Sequence, residues 1–244
     1  MRLGRLIAMV IMGVVAGCAA PANAPSEHPV ATLPGSIELQ FTCGRFPFPA
    51  TLLTDPPGHA QDAATPLGDA LRRGLAEDAP DRNFLPAVGW TLVGSDAAGA
   101  EFVTIDGDLG MKSISFENGA AGWKAAGWGD CRPNLILPEG IGTADWVWDD
   151  AGRPTPTTQS FTARVTERAC ASGRAPIGRI VGPVVVPSAD TVLVIFGVRS
   201  QDGTQTCPGN PGVPVPVDLG VPLGDRHLLD GGHLPYGDPT APQS

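Results

Sequence analysis

The sequence predicts a mainly β fold of α+β type, with antiparallel sheets and one helix in the N-terminal half. Three observations carry that expectation. Several short segments alternate apolar and polar residues with a period of two, as half-buried strands do. Glycine (32 residues) and proline (26) punctuate them at short intervals. One segment alone combines a helix start, an apolar stripe and a stop.

Ser36 to Cys43 alternates, with Ile37, Leu39 and Phe41 on one side, and reads as the first strand. Gly44 to Gly58 carries Pro47, Pro49, Pro56 and Pro57 and reads as a loop. Thr65-Pro66 opens the helix: Thr caps, Pro fits the first helical position, and Asp69 sits near the positive end. Leu67, Leu71 and Leu75 form a narrow stripe suited to packing on a sheet; Gly74 weakens the helix and Pro80 ends it. Trp90 to Asp96 and Glu101 to Ile105 flank Ala97-Ala98-Gly99, a hairpin. Lys112 to Glu117 and Trp123 to Trp128 flank a loop starting Asn118-Gly119, a second hairpin with a loop longer than the tightest type. Ala144 to Asp150 alternates again, with Trp146 and Trp148 on one face and Asp145 and Asp149 on the other.

Gly152 to Thr158, with Pro154 and Pro156, reads as the internal boundary between an α+β part (36–150) and an all-β part (158–234). Phe161, Ala163 and Val165 alternate with Thr162, Arg164 and Thr166, a half-buried antiparallel strand. Thr191 to Val198 is almost wholly apolar and β-branched, which predicts a central strand covered on both faces, entered through a turn at Pro187-Ser188-Ala189-Asp190. Val213, Val215, Val217 and Leu219 alternate with Pro214 and Pro216, which cannot donate to a ladder, so that strand belongs at an edge or a bulge. Gly231 onward is polar, and residues 235–244 read as a flexible tail.

The N-terminus says where this body resides. Arg2 and Arg5 precede an uncharged run from Leu6 to Val15, too short to span a bilayer and suited to a secretory signal. Val15-Ala16-Gly17-Cys18 resembles the lipobox of bacterial lipoprotein signals. The resemblance implies cleavage before Cys18, a diacylglycerol thioether on its sulfur, acylation of the new amino group, and attachment to the extracytoplasmic face of the cell membrane. Two or three chains hold stably where one holds only marginally. Free secretion after cleavage at Ala20-Pro21-Ala22 or Ala22-Asn23-Ala24 is the competing reading. Residues 18–35 form a Pro/Ala-rich tether, and some 15 residues of such chain reach roughly 45 Å.

Removing residues 1–17 leaves 227 residues and takes Arg2 and Arg5 away, so 14 basic residues face 25 acidic ones and the charge moves from −9 to −11. Such a chain is a poor partner for nucleic acid or anionic headgroups, so its membrane contact is the lipid on Cys18. Only Lys112 and Lys124 are lysines, and Arg, Ala, Gly and Pro, whose codons are GC-rich, are abundant, the composition expected of a high-GC bacterium.

Cys43, Cys131, Cys170 and Cys207 remain, an even number in an exported chain, which predicts two disulfides with three possible connectivities. Cys43–Cys131 with Cys170–Cys207 keeps each bridge within one half. A zinc site has no Cys-x-x-Cys or spaced histidine pair to support it.

Cys207-Pro208-Gly209-Asn210-Pro211, then Pro222-Leu223-Gly224-Asp225-Arg226 and Leu229-Asp230-Gly231, resembles the C-terminal segment of uncharacterised cell-envelope lipoproteins of the actinobacterial type. The likeness runs from Glu167 to Gly231, and Gly122-Trp123 to Cys131 resembles a second pattern of the same group. It implies no activity. Read physically, Gly209-Asn210-Pro211-Gly212 is a sharp reversal, and Asp225 and Asp230 are suited to accept backbone N–H bonds in loops.

Candidate chemistry is sparse. Asp225, His227, Asp230 and His233 lie close in sequence, but no nucleophile elbow or His-Glu-x-x-His accompanies them, and the histidine spacing fits neither helix nor strand. Asp106-Gly107-Asp108 starts like a calcium loop with Glu117 at the twelfth position. However, Gly110 lacks a side-chain oxygen at the fifth, and Met111 stands at the sixth, where glycine is needed. All five tryptophans lie between Trp90 and Trp148; Trp123, Trp128, Trp146 and Trp148 could line a pocket or fill a core. No cofactor motif is present. The sequence therefore points to a membrane-anchored, non-enzymatic module that binds an envelope protein, a glycan or a small ligand. The alternatives are an envelope hydrolase or metal-dependent enzyme assembled from Asp225, His227 and loop carboxylates, and a structural spacer with no ligand.

Overall fold

The computed structural model describes residues 38–54, 60–78, 85–106 and 110–240. Cys18, the signal, the tether, Asp108 and Pro80 lie outside them. The elements run β1 (Gln40–Thr42), β2 (Phe48–Pro49), α1 (Thr51–Thr54), α2 (Pro66–Asp78), β3 (Thr91–Ser95), β4 (Gly99–Asp106), β5 (Gly110–Gly119) and β6 (Gly122–Asp130). They continue with β7 (Asn134–Leu135), β8 (Ile141–Trp148), β9 (Ser160–Glu167), β10 (Ile180–Pro187), β11 (Thr191–Arg199), β12 (Val213–Asp218) and β13 (His227–Asp230). The fold is mainly β. Among the described residues every strand pairing is antiparallel except β11 with β13.

The strands form three sheets: β2-β1-β7; β3-β4-β5-β6; and β10-β11-β8-β9-β12, with β13 also against β11. α2 begins where the sequence places it, with the Gly68 N–H donating to Thr65 Oγ1 at 3.1 Å as an N-cap. Its leucine stripe packs on the four-stranded sheet: Leu71 is fully buried, and Leu67 and Leu75 pack beside it against Ala100, Phe102, Ile114 and Phe116. In the six-stranded sheet Val192 to Val198 is buried at every position. β12, with its two prolines exposed, is an edge strand. A third cluster, Phe41, Phe48, Leu135, Ile195 and Leu234, binds the small sheet to β11.

Several segments differ from the sequence reading. The stretch read as a loop from Gly44 contains β2 and the one-turn α1. The second hairpin is tight: Gly119 pairs with Gly122, which has a φ of +86°, so the ladder runs on to a two-residue connection where a five-residue loop was expected. Gly152 to Thr158 joins two neighbours in one sheet, because β8 pairs with both β9 and β11. Residues 235–240 are not a free tail: Pro239 O accepts from Trp148 N–H, Gly237 bridges Asp230, and Tyr236 meets the ring of Phe41. β10 and β13 form in segments without strand alternation. β10 carries a bulge at Gly182, whose φ of +101° and closeness to Ile195 O leave no room for a side chain.

Candidate functional site

A cavity walled by the N-terminal half lies on the face of the four-stranded sheet turned away from α2. Because strand side chains alternate, burying Phe102, Ile114 and Phe116 under the helix sends Glu101, Ser113 and Ser115 to the opposite face. Across the ladder Ser113 meets Gly129 and Ser115 meets Gly127, so the floor is hydroxyl and bare backbone. One wall is the segment Cys43 to Phe46. The Cys43–Cys131 disulfide (Cα–Cα 5.5 Å) ties it down, and the buried Glu101 carboxylate accepts the Arg45 and Phe46 N–H groups at 3.0 and 3.3 Å. Arg45 pairs with Asp96 and lies over the Phe46 ring. Close approach there depends on Gly94, where a Cβ would stand 2.8 Å from that ring. The resulting groove has a volume of about 490 Å³ and is bordered also by Glu117 and Asp130. That volume lies in the range of small-ligand sites.

The tryptophans are not brought together on one surface. Trp146 is buried and donates its indole N–H to Val194 O at 2.9 Å. Trp148 stacks on Phe161 at 4.8 Å, and Trp123 packs against the helix cluster. Trp128, 38% exposed, borders the groove, but its register partner is Ile114, so it belongs to the face that Ile114 turns to α2 and not to the floor.

The acidic and histidine cluster of the C-terminal segment is split in two. Asp225 and His227, both exposed, line a second cavity of about 420 Å³ with Arg153, Asp238 and Thr240. The Asp238 carboxyl is held below its usual value by the Thr240 hydroxyl and N–H, with Arg153 and His227 adding to this. Asp230 and His233 turn instead toward Asp145, and one ligating atom from each of the three lies within 4.8 Å of the others. Asp230 is buried, accepting the Gly232 N–H at 2.9 Å and the Trp146 N–H at 3.2 Å. Burial pushes its carboxyl up to about 7 and pushes the His233 imidazole below its usual value. Arg168 Nε lies 3.4 Å from Asp145. Asp145 was visible in the sequence only as the polar side of a strand; nothing in its spacing from Asp230 signals the meeting.

The calcium-like start does not close into a loop. Asp106 pairs with Gly110 at one end of β5, whereas Glu117 pairs with Gly99 at the other, so the first and twelfth positions are held apart by a full strand. Cys170 is bonded to Cys207 (Cα–Cα 4.6 Å), and Asn210 Nδ2 donates to Glu167 O and Ala169 O, fastening the reversal beside that bridge. No protein-family model matches the chain, and comparison with curated proteins and with solved structures returns no match. Function has to be read from the geometry.

Proposed function

We propose that this protein is a lipid-anchored, extracytoplasmic binding module of the cell envelope, belonging with the actinobacterial-type envelope lipoproteins that its termini resemble, and that its ligand-binding surface is the groove on the four-stranded sheet. The observation that carries the reading is a floor of Ser113, Ser115, Gly127 and Gly129 beneath a wall fixed by a disulfide and a buried carboxylate. A preformed wall costs little ordering on binding. Hydroxyls, open backbone and the Glu117 carboxylate suit a neutral, polyhydroxylated ligand such as wall glycan, while Arg45 and Asp130 are engaged in ion pairs with Asp96 and Lys112.

Two measurements test it. Mass spectrometry of the mature N-terminus should find Cys18 as the first residue, carrying diacylglycerol; an unmodified cysteine or a start further downstream overturns the anchor. Soluble wall-glycan fragments should bind saturably and lose at least tenfold in affinity on Gly129→Phe. That position tests the groove cleanly because a Cβ there meets nothing within 4 Å. The hydrolase alternative rests on Asp225 and His227, which line the second cavity beside Asp238. Hydrolysis of wall glycan by the wild type that His227→Ala abolishes would establish it instead.

A further inference from the structure

β8 and β11 pair only over Ile141–Thr143 against Gly197–Arg199, after which β8 turns away to pair with β9. β13 then takes the vacated side of β11, running parallel to it from Thr191 to Val194. The sheet therefore forks, and Asp230, the last residue of β13, sits in the fork. We propose that Asp145, Asp230 and His233 bind a divalent transition cation of the zinc type at this fork.

Four features support this. First, Asp230 is already oriented: each carboxylate oxygen accepts one backbone N–H and retains a further lone pair. Ligating carboxylates and histidines are held in this way by their outer partners. Second, His233 Nδ1 is sealed from solvent and has no hydrogen-bond partner. A buried polar atom left unpaired costs about 1–3 kcal/mol unless something else satisfies it. Third, glycines lie against these side chains. A Cβ at Gly232 would stand 3.2 Å from Asp230 Oδ1, and one at Gly237 would stand 3.2 Å from His233 Nε2. Fourth, the donor set itself suits a cation: Asp145 and Asp230 bring two carboxylates to the imidazole, with the guanidiniums of Arg168 and Arg132 acting on the same cluster. One imidazole nitrogen with two carboxylate oxygens matches the borderline donor set that zinc takes.

The three ligating atoms, up to 4.8 Å apart, must draw closer around an ion held at about 2.0–2.2 Å from each. Asp145 can supply the movement: its side chain is 43% exposed, and its contact with Arg168 is loose at 3.4 Å. The plain alternative is a strut in which Asp230 only ties β13 to β8.

Titration calorimetry with Zn²⁺ separates the two. The full chain carrying Cys18→Ser, with both disulfides intact, leaves no free thiol to compete. We expect one equivalent of Zn²⁺ to bind at 10 µM or tighter. His233→Ala and Asp145→Asn should each weaken it at least tenfold, and His227→Ala should leave it unchanged. Neither His233→Ala nor Asp145→Asn removes an acceptor of the Trp146 or Gly232 amides, so both test the site even if Asp230→Asn fails to fold. The proposal is overturned by no zinc binding up to 1 mM, by equal affinity in His233→Ala, or by a response to Ca²⁺ alone.

Discussion

The two larger sheets treat their second faces differently. In the six-stranded sheet, β11 is apolar and buried from Val192 to Val198, with β10 on one side and β8 and β13 on the other. In the four-stranded sheet, β5 buries Ile114 and Phe116 under α2 but turns Ser113 and Ser115 outward, opposite glycines of β6. A face meant only for water usually carries long charged side chains, which cover the sheet. Serine and glycine leave the backbone bare, and the loop from Cys43 then makes that bareness a groove. One region holds the fold together; the other offers a surface.

The comparison can be broken first at the disulfides. Removing Cys43–Cys131, which spans 88 residues, should cost about 4.6 kcal/mol and release the groove wall. Removing Cys170–Cys207, which spans 37, should cost about 3.8 kcal/mol and leave ligand binding intact. Denaturant melts paired with binding assays separate the two effects.

Core truncation comes next. Phe196→Ala, in the strand covered on both faces, should cost about 3–5 kcal/mol. Gly129→Phe, on the open face, should change stability by about 0.5 kcal/mol or less in the same urea titration.

A pH series sharpens the fork. The Asp230 carboxyl titrates at about 7 in the fold and at 3.8 when exposed, so the folded state holds the proton more tightly. Its stabilising effect is full below pH 3.8 and is lost as pH rises through 7, at most about 4 kcal/mol. His233, lowered by burial below 6.5, acts oppositely and costs stability as pH falls through its range. Asp145 raises both groups, Arg168 lowers both, and Arg132 lowers His233 further. Metal-free Asp230→Asn should therefore lose the gain between pH 7 and pH 4 and keep only the histidine slope. Outside both sites, Thr65→Ala should cost about 1 kcal/mol by removing the cap on the Gly68 N–H.

What the sequence carried, and what it did not, follows the range of the interactions. The helix at Thr65-Pro66, the buried run from Thr191 and the proline-bearing edge strand are written in local periodicity and capping, and each forms where expected. β10 and β13 are not, because their pairing is set by β11: a bulge at Gly182 breaks the one, and a parallel register places the other. The same reason hid both sites. Asp145 and Asp230 are far apart in the chain and meet only because the sheet forks. The groove exists only because Glu101 captures two amides from a loop 55 and 56 residues away.

The most direct test of the binding account is the equilibrium affinity of the soluble chain for wall-glycan fragments, measured side by side with Gly129→Phe. The account predicts saturable binding by the wild type and at least a tenfold loss in the variant at unchanged stability. No binding by the wild type, or equal binding by both, would contradict it.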